Sequence, residues 1–219
     1  MKYPVVRCAV AALLLSGVPS AHAVDDYWYV GLGVGYSRVQ FYPVDFSFGG
    51  GPCPAVPCTE SKKAFDAGFK AFMGYQINRN WAAEVGYATV GKFHYKYNDG
   101  STTQDAVYKV TGVGFSLVPT VPLTSNFSLY GRLGTFFSTT RLTFRNANFA
   151  PNAVTAGVQS SDPTVLTGFG AQYFWDEENG IRLEYENFGT VGSGDCGATQ
   201  ACTGRANAKM ASINLIFKF

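Results

Sequence analysis

Eight stretches of this chain alternate apolar and non-apolar residues with the period of an extended strand. They cover about 27–36, 65–75, 81–90, 107–118, 127–140, 164–175, 180–188 and 208–219. In the first, Trp28, Val30, Leu32, Val34 and Tyr36 take one face, and Gly31, Gly33 and Gly35 take the other. In the third, Trp81, Ala83, Val85 and Tyr87 oppose Ala82, Glu84, Gly86 and Ala88. In the seventh, Ile181, Leu183 and Tyr185 oppose Arg182, Glu184 and Glu186. The non-apolar face collects glycine and serine together with Lys70, Glu84, Arg132, Arg182 and Glu184.

Those charges decide which way the strands face. A soluble barrel or sandwich turns its apolar face inward, and could not bury five such charges on the other face of the same logic without an unusual polar network. A membrane barrel turns the apolar face to lipid and keeps a polar lumen. The predicted fold is therefore all-β: an eight-stranded antiparallel up-and-down transmembrane β-barrel. Glycines leave room for long charged side chains in a narrow interior. Aromatics near strand ends (Trp28, Tyr36, Tyr75, Trp81, Trp175 and Phe219) suit the interfacial girdles of such a barrel.

The connections alternate in length. Residues 76–80, 119–126 and 176–179 read as short turns rich in Asn, Pro, Asp and Gly. Residues 37–64, 91–106, 141–163 and 189–207 read as long polar loops. Short periplasmic turns and longer outside loops are the bacterial pattern, so both termini are expected in the periplasm.

The first residues stand apart from this pattern. Lys2 and Arg7 precede an apolar run from Cys8 to Val18, and Ala21-His22-Ala23 is a small-x-small cleavage signal. Residues 1–23 read as a secretory signal peptide and 24–219 as the barrel. An N-terminal anchor is the rival, but the run is shorter than the roughly 20 apolar residues that spanning needs. All 15 acidic residues follow Ala23, whereas two of the 17 basic ones precede it, so 24–219 is formally neutral. Nucleic acid, which calls for a basic patch or stripe, is not an expected partner.

The segments Tyr29-Val30-Gly31-Leu32-Gly33-Val34-Gly35-Tyr36, Gly74-Tyr75-Gln76-Ile77-Asn78, Glu84-Val85-Gly86-Tyr87, Leu129-Tyr130-Gly131-Arg132-Leu133-Gly134 and Arg182-Leu183-Glu184-Tyr185, with the final strand Ile213–Phe219, fall in a telling order. By these the chain resembles the OmpA-like transmembrane barrels and the wider family of small outer-membrane β-barrels. A terminal Phe closing such a strand is a hallmark of that family. The resemblance implies a lumen blocked by interior ion pairs, with Glu84, Arg132, Arg182 and Glu184 matching. Two positions depart from it. Gln172 stands where an interior acid is expected, and an apolar residue, Val118, stands where an interior Lys is expected; Lys70 is a candidate substitute. The peptidoglycan-binding domain that some members carry is not expected, since the sequence stops at Phe219. The resemblance implies fold and location, not one activity.

Four cysteines remain after the leader, as Cys53/Cys58 and Cys196/Cys202, each pair within one expected outside loop. Four cysteines allow three connectivities. The oxidising route of a secreted chain favours disulfides, with local pairing the simplest, over the rival zinc set. The leader takes His22, leaving His94, which is followed by Tyr95 and Lys96, with Ser101 the nearest serine. Nothing there completes a triad, so His94 reads as a loop or rim residue and no catalytic residue is expected. Glu184 and Glu186 can be drawn as a carboxylate pair, but read better as lumen ion-pair members. No cofactor or metal is expected.

The functional expectation is a non-enzymatic barrel of the bacterial outer membrane with a structural, adhesive or surface-interaction role through its loops. A narrow or gated pore is the alternative, because eight strands leave an interior only wide enough for side chains. A lipid-modifying enzyme ranks last. Expected partners are outer-membrane lipid and lipopolysaccharide, the barrel-assembly machinery through Phe219, and a host or surface ligand at the loops.

Overall fold

The computed structural model describes residues 26–42, 59–98, 103–144, 158–194 and 203–219. The expected signal peptide and all four cysteines of the expected disulfides, Cys53, Cys58, Cys196 and Cys202, lie outside them. The strands are β1 Tyr27–Phe41, β2 Thr59–Lys63, β3 Phe65–Asn78, β4 Trp81–Asn98, β5 Thr103–Pro122, β6 Phe127–Phe144, β7 Val158–Phe174, β8 Asn179–Val191 and β9 Ala206–Lys218.

From β3 to β9 consecutive strands pair antiparallel, and β1 pairs with both β3 and β9, so the sheet closes on itself. β2 and β3 both pair with β4, interrupted only at Ala64, whose carbonyl accepts from Val39 N–H at 2.8 Å. Together they make one stave, and the barrel has eight. Closure satisfies every ladder and leaves no edge, the condition for crossing a bilayer with strands. The seam is tied at its end by Trp28 and Phe219, each donating its N–H to the other's carbonyl, at 3.3 and 2.9 Å.

The outer surface fits lipid. Leu32, Val34, Phe115, Leu133, Val165, Phe169 and Leu183 are each more than half exposed, and Met73, Tyr87 and Leu215, exposed on β3, β4 and β9, complete the ring. No soluble protein of this size could leave such a belt in water. At the end with the short turns and Phe219, Trp28 packs on Tyr75 with ring centroids 4.9 Å apart, and Trp81, Trp175 and Phe219 are exposed. At the other edge Tyr36 stacks on Phe65 at 5.4 Å.

The strands outrun the expected loops. Ser37–Phe41, Thr59–Lys63, Gly91–Asn98, Thr103–Ala106, Arg141–Phe144, Val158–Pro163, Gly189–Val191 and Ala206–Asn207 are strand, not loop. The physical reason is a change in the sense of the alternation. Beyond the lipid belt the outward positions turn polar (Arg38, Gln40, Lys109, Arg141), while the inward ones turn apolar (Val39, Phe41, Tyr108, Val110, Leu142). Two bulges also shift the period. In β4 the register slips between Thr89 and Gly91, with Gly91 at φ 127°. In β8 it slips between Asn187 and Thr190, with Gly189 at φ 73°. Both are conformations that glycine adopts without a Cβ penalty, and an extra residue there flips the inward parity.

The lumen is accordingly not polar throughout, as the sequence suggested. It is stacked in three layers. Nearest the short turns lie Tyr29, Phe72, Ala82, Val118, Tyr130, Phe174 and Ile216. A charged layer comes next. Above it lies a larger apolar layer that includes Val39, Phe93, Tyr108, Phe136, Leu142, Phe188 and Met210. The rule for a membrane barrel and the rule for a soluble one therefore both operate, at different heights of the same strands.

Candidate functional site

The charged layer is assembled from four staves. Parity sends Lys70 inward from β3, Glu84 from β4, Arg132 from β6, and Arg182, Glu184 and Glu186 from β8, all 1–6% exposed. Arg132 donates from Nε to Glu184 Oε1 at 2.6 Å, from Nη2 to Glu84 Oε2, and from Nη1 to Ser116 Oγ at 2.8 Å. Arg182 Nη1 donates to Glu84 Oε1 at 2.6 Å and Nη2 to Gln172 Oε1 at 2.9 Å. Lys70 Nζ bridges Glu184 Oε2 at 2.6 Å and Glu186 Oε1 at 2.7 Å. Three acids face three bases, so no net charge is stranded.

The structure brings together all five lumen residues that the sequence singled out. Glu186, also read from the sequence as a lumen ion-pair member, joins them, and Tyr29 is a member that sequence reasoning missed. Glu186 supplies the third acid, which Lys70 requires. Tyr29 donates its hydroxyl to Glu84 Oε1 at 2.6 Å. The signal for Tyr29 was available: it sits on the glycine face of its stretch, opposite Trp28 and Val30. The two departures from the family pattern are also accommodated. Gln172 accepts from Arg182, and Val118 is packed in the lower apolar layer.

The aromatic floor also holds Arg182. Its guanidinium lies over the rings of Tyr130, Phe72 and Tyr29 at 4.6, 5.0 and 5.5 Å. Cation–π attraction is largest where the cation is stripped of water, as here. Room for those rings comes from glycine across the ladder. Tyr29 pairs with Gly74 and Phe72 with Gly31, and a Cβ on either glycine would stand 2.2 or 2.1 Å from the facing ring. Below, Lys218 Nζ caps the Phe174 ring at 3.5 Å.

The upper layer is closed as tightly. Tyr108 Oη donates to the carbonyls of Val191 and Gly204, at 3.1 and 3.2 Å, from across the lumen. Phe41 meets Tyr108 edge-on at 5.4 Å, and Phe136 meets Phe188 at 4.8 Å. Burial of each such ring removes about 1.5–3 kcal/mol of apolar exposure. His94 lies on β4 beyond the bulge, half-exposed, in register with Lys63 and Val107, away from the charged layer. The lumen cluster has hydrogen-bonded, mutually neutralised members that are all buried among the described residues, so each charge depends on its partners.

Comparison with known proteins agrees with this geometry. The pattern of the family described as the OmpA-like transmembrane domain matches residues 23–219. Outer membrane protein A of Serratia marcescens is 27% identical over 225 residues, covering 100% of this chain and 56% of the relative. That of Escherichia coli O157:H7 is 27% identical over 219 residues, with 100% and 55% covered. The chain thus spans about half the length of these curated relatives. Among solved structures, outer membrane protein AlkL superposes with a TM-score of 0.55 at 13% identity, covering 93% of this chain and 94% of that one. Neisserial surface protein A gives 0.50 at 14% identity, with 88% and 97% covered, and OprG from Pseudomonas aeruginosa gives 0.50 at 13%, with 89% and 95%. These structures share the fold.

Proposed function

The chain belongs to the OmpA-like transmembrane domain family and is an outer-membrane β-barrel; on that premise we propose that it acts without catalysis, as a sealed scaffold whose work is done at its surface. The observation that carries this reading is the filling of the lumen. A charged layer neutral in itself lies between two apolar layers, and Tyr108 is bonded across the upper one. A path for solute would have to unpack all three. A rigid wall that carries connecting segments is the usual setting for recognition. The segments joining the strands at the end opposite the termini are 42–58, 99–102, 145–157 and 192–205. They are the candidates for adhesive or other surface contact, with both termini in the periplasm and Phe219 offered to the assembly machinery.

The test is a strain lacking the protein, complemented with the wild-type barrel or with one in which residues 43–58 and 195–202 are replaced by short glycine-serine linkers. The trimmed barrel should still fold, seen as heat-modifiable mobility in gels. It should lose whatever attachment of cells to epithelial monolayers or to each other the wild type confers. If the wild-type barrel instead passes solutes into liposomes at a steady rate, and trimming leaves attachment unchanged, the pore reading replaces this one.

A further inference from the structure

At the height of the lipid belt the wall has no edge; above it one opens. The β7–β8 ladder runs from Phe174 opposite Gly180 to Thr167 opposite Asn187 and stops there, whereas β7 stays paired with β6 as far as Val158 opposite Leu142. β8 turns aside at its bulge. Gly189 stands against Val165, where a Cβ would lie 3.0 Å from the carbonyl oxygen, and Thr164 Oγ1 donates to the Phe188 carbonyl at 2.6 Å. Beyond that contact Val158–Pro163 has no strand on its β8 side among the described residues. At about 3.3 Å per residue this open stretch is roughly 20 Å long. Leu166 and Phe188 stay buried beneath it, so it notches the rim and leaves the lumen covered.

The strand's alternation says which backbone groups face the notch. Phe174 donates its N–H to Asn126 on the β6 side, and Trp175 donates to Asn179 on the β8 side. The β6–β7 register has no slip, so odd-numbered residues turn their N–H and C=O toward the open side all the way up. Asp162, an even residue, agrees: its carbonyl accepts from Ser138 Oγ of β6 at 2.9 Å. The notch therefore offers the N–H of Gln159 and Ser161 and the carbonyls of Gln159, Ser161 and Pro163. Pro163 falls where no ladder needs its missing N–H, the place a proline takes on an edge strand. The rim's other edge, β2, pairs with β4 and carries Lys62 and Lys63, residues that guard an edge against pairing. Val158–Pro163 carries no lysine or arginine.

Side chains select the strand that fits. Asp162 is half-buried on the inner face, accepts from Ser160 Oγ, and meets no cation among the described residues. On the outer face Arg141 Nη2 donates to Gln159 Oε1 at 3.1 Å. An added strand is favoured with a cation on its inner face, opposite Asp162, and disfavoured with one outside, beside Arg141. The connecting segments 43–58, 99–102 and 195–202 contain no lysine or arginine, and 145–157 joins β7 to β6, its paired neighbour. We infer that the rim edge Val158–Pro163 captures an extended segment of another protein by strand addition, with a lysine or arginine of that segment set against Asp162. The inference deepens the surface-contact reading by moving contact from the connecting segments to the strand itself. The peptide assay reads only the edge, whereas attachment and solute flux read the scaffold, so either can fail alone.

The test uses the refolded full barrel in lipid nanodiscs and three short extended peptides of alternating valine and threonine. One has a central lysine, one has glutamate in its place, and one is the lysine peptide N-methylated throughout. Amide hydrogen exchange is followed by NMR. In the free barrel Gln159 and Ser161 should exchange as solvent-facing amides. The lysine peptide should slow both roughly tenfold or more and leave Ser160 and Asp162, bonded to β6, unchanged. Asp162→Asn should weaken the lysine peptide about threefold, as for one cross-strand ion pair, and remove its advantage over the glutamate peptide. Ser161→Pro deletes the central donor on the open side alone and should abolish binding, with heat-modifiable mobility showing that the variant is folded. Slow exchange of Gln159 and Ser161 without peptide would place this chain or a second copy on the edge and overturn the assignment. So would no slowing by the lysine peptide, equal binding of the N-methylated peptide, or unchanged binding by folded Ser161→Pro.

Discussion

Arg182 and Glu84 occupy staves that lie opposite one another around the barrel, four steps apart in either direction, and they meet at 2.6 Å across the lumen. The bond is a strut between opposite walls rather than a ladder contact, and only a narrow barrel with long inward side chains permits it. Arg132 braces the same carboxylate from an intermediate stave.

Removing one member of the strut leaves an uncompensated charge where no water reaches. Arg182→Ala, Arg132→Ala or Glu84→Gln should each lower the stability of the barrel by about 3–5 kcal/mol in urea unfolding from lipid vesicles. The lipid-facing Leu183→Ala, on the neighbouring residue of the same strand, should cost about 2 kcal/mol or less. The double variant Arg182→Ala/Glu84→Gln should cost less than the two single changes together, by about 0.5–3 kcal/mol. Equal costs for Leu183→Ala and Arg182→Ala would remove the strut from the account.

The acids should not be equivalent. Glu84 accepts from Arg132, Arg182 and Tyr29, whereas Glu186 engages through Oε1 and its Oε2 has no partner among the described residues. Glu186→Gln should therefore destabilise the barrel clearly less than Glu84→Gln in the same assay. The reverse order would show that Lys70, rather than the two arginines, dominates the layer.

Much of this was legible in sequence, and the failures have identifiable causes. Period-two alternation located the lipid-facing belt and sent Glu84, Arg132, Arg182, Glu184 and Lys70 inward together. It lost the strands where the outward residues became polar: Arg38-Val39-Gln40-Phe41 still alternates, but with its apolar residues turned into the barrel, so it read as loop. The β4 bulge made this worse, because Val90 and Phe93 both face inward three positions apart and no single period joins them. Glu186 was legible as an inward ion-pair member, but its pairing with Lys70 was not, because that partner lies three staves away.

The bulge offers its own test. Gly91 combines φ 127° with close approach, since a Cβ there would lie 2.9 Å from that of Asp66. Gly91→Ala should destabilise the barrel by about 1–3 kcal/mol and loosen the upper strands first in hydrogen exchange. Gly131→Ala is the control, because its Cβ would meet only Pro119, at 3.4 Å, and it should be nearly neutral.

At the short-turn end, Asp176 accepts from the side chain and backbone of Asn179 and from the Glu178 backbone, which holds its carboxyl below the usual carboxylate range. A depressed folded-state value stabilises the turn above the unfolded pKa, and that contribution is lost as pH falls through the folded value. Carboxyl NMR titration should show Asp176 protonating at lower pH in the wild type than in an Asn179→Ala variant. An Asp176 whose titration is unmoved by Asn179→Ala would show that the Asn179 bonds do not persist in solution.

The most direct measurement of the central claim is the conductance of the refolded wild-type barrel in planar bilayers, with Tyr108→Phe and Glu84→Gln alongside. Three packed layers predict a baseline indistinguishable from lipid for the wild type. Either single variant should still leave two layers in place, so neither should show sustained opening. Stable, ohmic openings of the wild-type barrel would contradict a sealed lumen and make the charged layer the lining of a pore.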